Sequence, residues 1–191
     1  VIFLLGDFVD RKTKESAAVI RQAGDELAKL NAPDGRFAVM GNHERHLGVR
    51  RVAETLRKNG ITVLQNEMET VRRGPDGLVI AGLDEQYPDN WLHMLRKAEP
   101  DAPVFMLAHV PDDAVESRNC FALAFSGHTH GGQIVLPLYG PVKIYSAYGI
   151  VRGFSKHKGR KVYTTSGLGT SLLRIRYGVP PEIVLMTVKR K

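Results

Sequence analysis

Short apolar runs recur along the chain, and four of them are closed by glycine or histidine with ligand-type side chains beside it. Residues 1–5 (VIFLL) run into Gly6-Asp7-Phe8-Val9-Asp10, and 36–40 (RFAVM) into Gly41-Asn42-His43-Glu44. Residues 103–108 (PVFMLA) run into His109, and 121–126 (FALAFS) into Gly127-His128-Thr129-His130-Gly131-Gly132. Continuous apolar runs of this length, bounded by breakers, predict buried strands. Helical spacing separates the first pairs. Ile20, Ala23, Leu27 and Leu30 recur over residues 13–30, with Thr13 as N-cap, and Leu47, Val52 and Leu56 share a face over 47–59, with Gly60 just past the end. A short strand is expected at 61–64, a hairpin at 68–73 and 78–81 around Gly74-Pro75-Asp76-Gly77, and a helix at 90–98 carrying Trp91. Beyond Gln133 the pattern shortens to β segments at 134–136, 142–145, 161–165 and 183–188. There are no repeats or linkers, so residues 1–191 read as one α/β domain.

In open α/β sheets, sites form at the carboxyl ends of strands. If the four strands share a sheet, Asp7, Asn42, His43, His109, His128 and His130 meet at one edge. His128 and His130, two apart on an extended backbone, would point the same way, and Gly127, Gly131 and Gly132 let that backbone turn close to a ligand. Asn, Asp and several His form an oxygen and nitrogen donor set for divalent Mn, Fe or Zn, and a poor one for Ca²⁺.

Composition narrows this picture modestly. With 43% hydrophobic and 25% charged residues the chain is expected to be globular. The single cysteine, Cys120, excludes an intramolecular disulfide and a cysteine-based zinc cluster. A net charge of +7 and a pI near 9.6 favour phosphate-bearing substrates, anionic membranes or nucleic acid as partners. No apolar run reaches the length of a membrane span. The first residue already lies in an apolar run, so any targeting signal is expected upstream, with a cytoplasmic or membrane-associated location.

The ordered set GDxxD, GNHE, His after an apolar strand and GHTH resembles the calcineurin-like metallophosphoesterases. With GHTHGGQ, the tail Gly167-Leu168-Gly169-Thr170-Ser171 and Arg176-Tyr177-Gly178-Val179-Pro180-Pro181-Glu182 resembles a bacterial, often membrane-associated branch. That branch contains phosphodiesterases and UDP-2,3-diacylglucosamine hydrolases of lipid A biosynthesis. The resemblance implies a sandwich of two mixed β-sheets flanked by helices. It implies two divalent metal ions, with Asp7 bridging them, Asn42, His109 and His128 on the second and His130 on the first. His43 would protonate the leaving oxygen, and Asp10 and Glu44 would orient the ligands or His43, with Gly127 and Gly131 shaping the loop. The implied chemistry is in-line attack on phosphorus by a water activated between the two ions, with a histidine donating the proton. The family's first motif, Asp-x-His after a strand, does not precede Gly6. A missing N-terminal strand and helix are therefore expected, leaving an unpaired apolar edge.

His46, His93 and His157 are read as surface residues, Asp84 and Glu85 as loop residues, and Arg72-Arg73 and Lys156 to Lys161 as solvated charge runs, the second able to meet an anionic headgroup. Trp91, Leu92 and Leu95 are read as a core-facing stripe, and Thr170-Ser171 as turn chemistry. The expected function is hydrolysis of a phosphodiester or pyrophosphate bond in a lipid-linked or nucleotide-sugar phosphate, with peripheral membrane contact. Two alternatives stand beside it: a nuclease or nucleotide phosphatase on the same core, and a non-catalytic binding scaffold.

Overall fold

Two β-sheets lie face to face in the computed structural model, which describes residues 1–10, 16–84, 102–117 and 121–189. The smaller sheet is parallel, in the order β1 (Ile2–Leu4), β2 (Arg36–Ala38), β3 (Thr62–Val63). The larger is mixed. Its central strands are β6 (Val104–Leu107) and β7 (Leu123–Ser126), parallel to each other. The β4–β5 hairpin (Glu67–Arg73, Asp76–Gly82) flanks them on one side and the β10–β11 hairpin (Gly153–His157, Arg160–Thr164) on the other. A small ribbon, β8 (Val135–Leu136) with β9 (Gly140–Pro141), stands apart.

Strands β2 and β6 are apolar on both faces because both faces are covered. Along β2 and its extension, Phe37 and Val39 point into the layer between the sheets, while Ala38 and Met40 face the helices. Along β6, Phe105 and Leu107 point inward, and Val104 and Met106 point out. Helices α1 (Ser16–Ala28) and α3 (Val49–Lys58) cover the small sheet through Ile20, Val52, Ala53 and Leu56. Helix α4 (Pro111–Glu116) covers the large one through Ala114 and Val115. The result is a helix–sheet–sheet–helix stack. Among the described residues no helix is long and apolar enough to cross a membrane.

Several expectations change. The four motif-bearing strands do not share a sheet: β1 and β2 belong to one, β6 and β7 to the other. The helix expected over 47–59 is α3 (Val49–Lys58), and a separate short helix that was not expected precedes it. α2 (Asn42–Leu47) already contains Asn42 and His43, and Gly48 at φ +90° breaks it from α3. The α3 terminus follows the sequence signal: Gly60, at φ +71°, donates to the Arg57 carbonyl at 3.0 Å and Ile61 to that of Leu56 at 3.1 Å. This is a glycine-closed helix end that satisfies the last carbonyls. Residues 142–145 and 183–188 form no strand, and α4 and β10 were not anticipated. The run Lys156 to Lys161 is the end of the β10–β11 hairpin, turning at Lys158 and Gly159, and His157 is half-buried there, 5.7 Å from the Tyr148 ring. His46 is exposed, and Asp84 is buried with its amide held by Asn66. Thr13, Glu85, the 90–98 helix with Trp91, Leu92, His93 and Leu95, and Cys120 lie outside the described residues.

Candidate metal centre

Two loops from the small sheet and two from the large one meet where the carboxyl ends of their strands face each other. The loops touch backbone to backbone. A Cβ on Gly6 would lie 2.6 Å from the Gly41 nitrogen and 2.7 Å from His109 Nδ1. A Cβ on Gly41 would lie 2.6 Å from the Asp7 nitrogen and 2.7 Å from His109 Cε1. Only glycine permits that approach.

Glu44 joins the two small-sheet loops. It is the third residue of α2 and fully buried. Its carboxylate accepts the amide of Gly41 at 2.7 Å, Asp7 at 2.9 Å and Phe8 at 2.9 Å. The first of these is the reach-back of a helix third-position Glu to the cap; the other two bind the neighbouring loop. In return Asp7 Oδ1 accepts the His43 amide at 3.0 Å, one of the free N–H groups at the start of α2.

His109 is the hub. Its Nδ1 lies 2.6 Å from the Leu5 carbonyl. A carbonyl only accepts, so Nδ1 carries the proton and the neutral ring presents a lone pair at Nε2. Around Nε2 stand Asn42 Oδ1 at 3.1 Å, His128 Nδ1 at 3.1 Å and Asp7 Oδ2 at 3.3 Å. Lone pairs thus converge on one point, and one proton cannot serve them all. A divalent cation can, and the donor types suit a first-row metal. Among the described residues, Asp7, His109 and His128 are the group whose ligand atoms all lie within 4.8 Å of one another.

The electrostatics agree with such a site. Burial works to raise the Asp7 carboxyl, but the hydrogen bond and charge of His109, with the His43 amide, outweigh it and hold it at about 2. Burial opposes charge on His109, yet the Asp7 carboxylate outweighs it and raises that imidazole. Burial and the neighbouring His109 push His128 down to about 4. Burial and the Asp7 charge push Glu44 up.

The remaining expected residues are placed differently. His130 and His128 do not sit on an extended backbone. Both have positive φ (+52° and +64°), and His130 opens a tight turn, so the extended-backbone argument fails. Its Nδ1 faces the Gly169 carbonyl at 3.4 Å, and burial lowers its pKa. His43 Nε2 lies 3.9 Å from Asp7 Oδ2, in a buried position. Glu44 touches backbone amides rather than the His43 ring. Asp10 is half-buried and is not among the groups that meet at His109. The Gly127 amide donates to the His109 carbonyl at 3.0 Å. Gly131 leaves room for Val179 and Ser166, 2.7 and 2.8 Å from where its Cβ would be.

Sequence reasoning missed the side chains that fasten residues 166–173 beside His130. Arg176 donates to the carbonyls of Ser166 (2.6 Å), Gly167 (3.2 Å), Gly169 (2.5 Å) and His130 (3.1 Å). Gln133 donates to Ser171 and Leu173 at 2.9 and 3.0 Å and accepts the Ser171 amide at 2.7 Å. Glu182 accepts from Tyr163, Thr165 and Ser166. The available signal was a long multi-donor side chain beside a glycine-rich stretch whose carbonyls need partners.

The fold and the centre define a phosphoesterase built around divalent cations. Residues 1–132 match the family described as calcineurin-like phosphoesterase, and the chain belongs to that family. It is 32% identical over 201 residues to a metallophosphoesterase of Aquifex aeolicus, a match covering all of this chain and 73% of that protein. It is 32% identical over 196 residues to the Escherichia coli phosphodiesterase YaeI, covering 97% of this chain and 69% of that one. In fold it is similar to the Haemophilus influenzae NAD nucleotidase NadN, with a TM-score of 0.52 at 16% identity over 87% of this chain and 40% of that structure. The chain is accordingly a metal-dependent phosphoester hydrolase.

Proposed function

We propose that this domain, residues 1–191, hydrolyses a phosphodiester or pyrophosphate bond in a lipid-linked or nucleotide-type substrate. The observation that carries the reading is the convergence of Asp7, Asn42 and His128 on the Nε2 of His109, whose proton the Leu5 carbonyl keeps on the other nitrogen. In this reading Asp7, Asn42, His109 and His128 hold one divalent cation, and Asp7 and His130 contribute to the second of a pair. Bound there, such cations draw charge from phosphoryl oxygens and favour ionisation of water. Manganese, iron and zinc all suit the donors.

The chain's own residues do the rest. Glu44 holds the Asp7 loop and the α2 start in register, so the donors are set before substrate arrives. His43, fixed through its amide to Asp7, gives its proton to the leaving oxygen. One P–O bond forms to the water oxygen, which gives up a proton to solvent, the P–O bond to the leaving oxygen breaks, and that oxygen takes the His43 proton, which solvent then restores. The net charge of +7 favours an anionic substrate and supports a nuclease or nucleotide phosphatase as a second reading.

The test is hydrolysis of bis-p-nitrophenyl phosphate with Mn²⁺, in parallel with measured metal content. His43→Ala should lower turnover about 100-fold or more and leave metal content unchanged. Loss of metal in that variant would reassign His43 to a ligand role. Metal bound with no turnover in the parent would favour a binding scaffold. UDP-2,3-diacylglucosamine set against single-stranded DNA separates the two enzyme readings.

A further inference from the structure

Two cations stand beside the turn that bears His128 and His130 with no carboxylate to answer them. Lys143 places its ammonium 4.5 Å from the centre of the Tyr145 ring, a distance at which the charge is attracted to the ring face. That ring lies 6.0 Å from the His128 ring, at 80° to it. The ammonium is therefore no farther from the His128 ring than those two distances laid end to end. The stem of Arg152 passes Gly131 in the same turn, its Cδ 3.6 Å from where a Cβ on that glycine would sit. Both cations are exposed. Among the described residues neither has an ion-pair partner.

The segment between Tyr145 and Arg152 is fixed to the elements that carry the centre. Ser146 Oγ donates to Asp112 Oδ1 at 2.5 Å, and the Ala147 amide to Asp112 Oδ2 at 2.7 Å. Asp112 is in the first turn of α4, just past His109. Ser146 Oγ in turn accepts the amides of Tyr148 at 3.2 Å and Ile150 at 3.1 Å. Thr129, between the two histidines, donates its hydroxyl to the Val151 carbonyl at 2.6 Å. The nearby carboxylates are engaged elsewhere: Asp112 with this segment, Glu116 with Tyr148 and Lys158, and Glu182 with Tyr163, Thr165 and Ser166. Tyr145 is thus a set platform beside His128, and the ammonium on it is left to meet a ligand.

We propose that Lys143, held on Tyr145, and Arg152 form a specificity-determining subsite for a second phosphoryl group, next to the one that sits at the metal centre. The subsite rests on the hydrolytic reading and selects, between its two bond types, the pyrophosphate. A pyrophosphate carries another anionic group one bridging oxygen away from the reacting phosphorus, and a simple diester carries none there. Lys143 meets that group as a point charge and Arg152 as a fork of donors. The Tyr145 face covered by the ammonium is not offered to a nucleobase, so charge rather than stacking sets the preference.

The experiment is titration calorimetry on the Mn²⁺-loaded protein with α,β-methylene-ADP, whose two phosphoryl groups cannot be cleaved apart, and with AMP, which has one. The first should bind at least about fivefold more tightly, a modest preference because both cations are exposed. The preference should shrink as ionic strength rises from about 0.1 to about 1 M, where the screening length falls from ~10 to ~3 Å. In the double variant Lys143→Met, Arg152→Gln it should fall to about twofold or less, with the melting temperature unchanged. In Lys156→Met, which removes a positive charge from the β10–β11 hairpin instead, it should persist. Equal binding of the two ligands by the parent, binding of neither, a preference kept by the double variant, or the same loss in Lys156→Met would overturn the proposal. The expected pattern without hydrolysis of bis-p-nitrophenyl phosphate would support the subsite and overturn the hydrolytic reading alone.

Discussion

Replacing Glu44 with glutamine keeps the shape and removes one acceptor from three backbone donors, that of Gly41 buried and those of Asp7 and Phe8 partly so. In the parent, Oε2 accepts the amides of Asp7 and Gly41, and Oε1 accepts Phe8. The best glutamine orientation leaves its oxygen on the first pair and turns its NH₂ against the Phe8 N–H, donor facing donor. An unsatisfied buried donor costs about 1–3 kcal/mol, and the two remaining bonds each lose roughly 1 kcal/mol when the acceptor is neutral. Part of this is offset, because the parent keeps a carboxylate away from water beside Asp7, which pushes the Glu44 pKa up. The net expectation is a loss of about 2–3 kcal/mol for Glu44→Gln. For Glu44→Ala, which abandons all three amides and leaves a hole, about 3–5 kcal/mol is expected. Urea unfolding of the chelator-treated protein measures both. The same loosening frees the Asp7 loop from α2, so Mn²⁺ affinity should fall about tenfold in Glu44→Gln, a typical effect of removing a group that orients ligands. A glutamine variant within about 0.5 kcal/mol of the parent that binds Mn²⁺ equally well would refute the assignment of Glu44 as the clasp between the loops.

Other substitutions test the packing of the centre and its surroundings. Gly41→Ala drives a methyl into the Asp7 loop and the His109 ring. It should cost about 1–3 kcal/mol in urea unfolding and lower metal content. Arg176→Lys cannot reach four carbonyls at once. Limited proteolysis should then cut within 167–173 at least several-fold faster, with the melting temperature little changed. The hydroxyls of Ser126 and Thr164, neighbours in register on β7 and β11, are buried without a hydrogen-bond partner. Thr164→Val should therefore be neutral or stabilising by up to about 1 kcal/mol in thermal unfolding. Leu107→Ala, in the layer between the sheets, should cost about 2–5 kcal/mol.

Local pattern settled where the buried strands run and which side chains stand at their ends. An apolar run closed by glycine constrains its own backbone, and so β1, β2, β6 and β7 and the residues Asp7, Asn42, His43, His109 and His128 could be read without a structure. The end of α3 at Gly60 was readable for the same reason. Pairing between strands is a different matter. The division of those four strands between two sheets depends on contacts between residues far apart in sequence, such as Phe3 with Phe125, 5.0 Å apart. No local window contains that information. The positive φ of His128 and His130, the Leu5 carbonyl that sets the His109 tautomer, and the fastening of residues 166–173 by Arg176 and Gln133 likewise arise only once the loops are packed. The sequence by itself thus determined the donors and the strands that carry them. Tertiary structure alone decided which of those donors share a point in space, because that depends on how two sheets close over a common core.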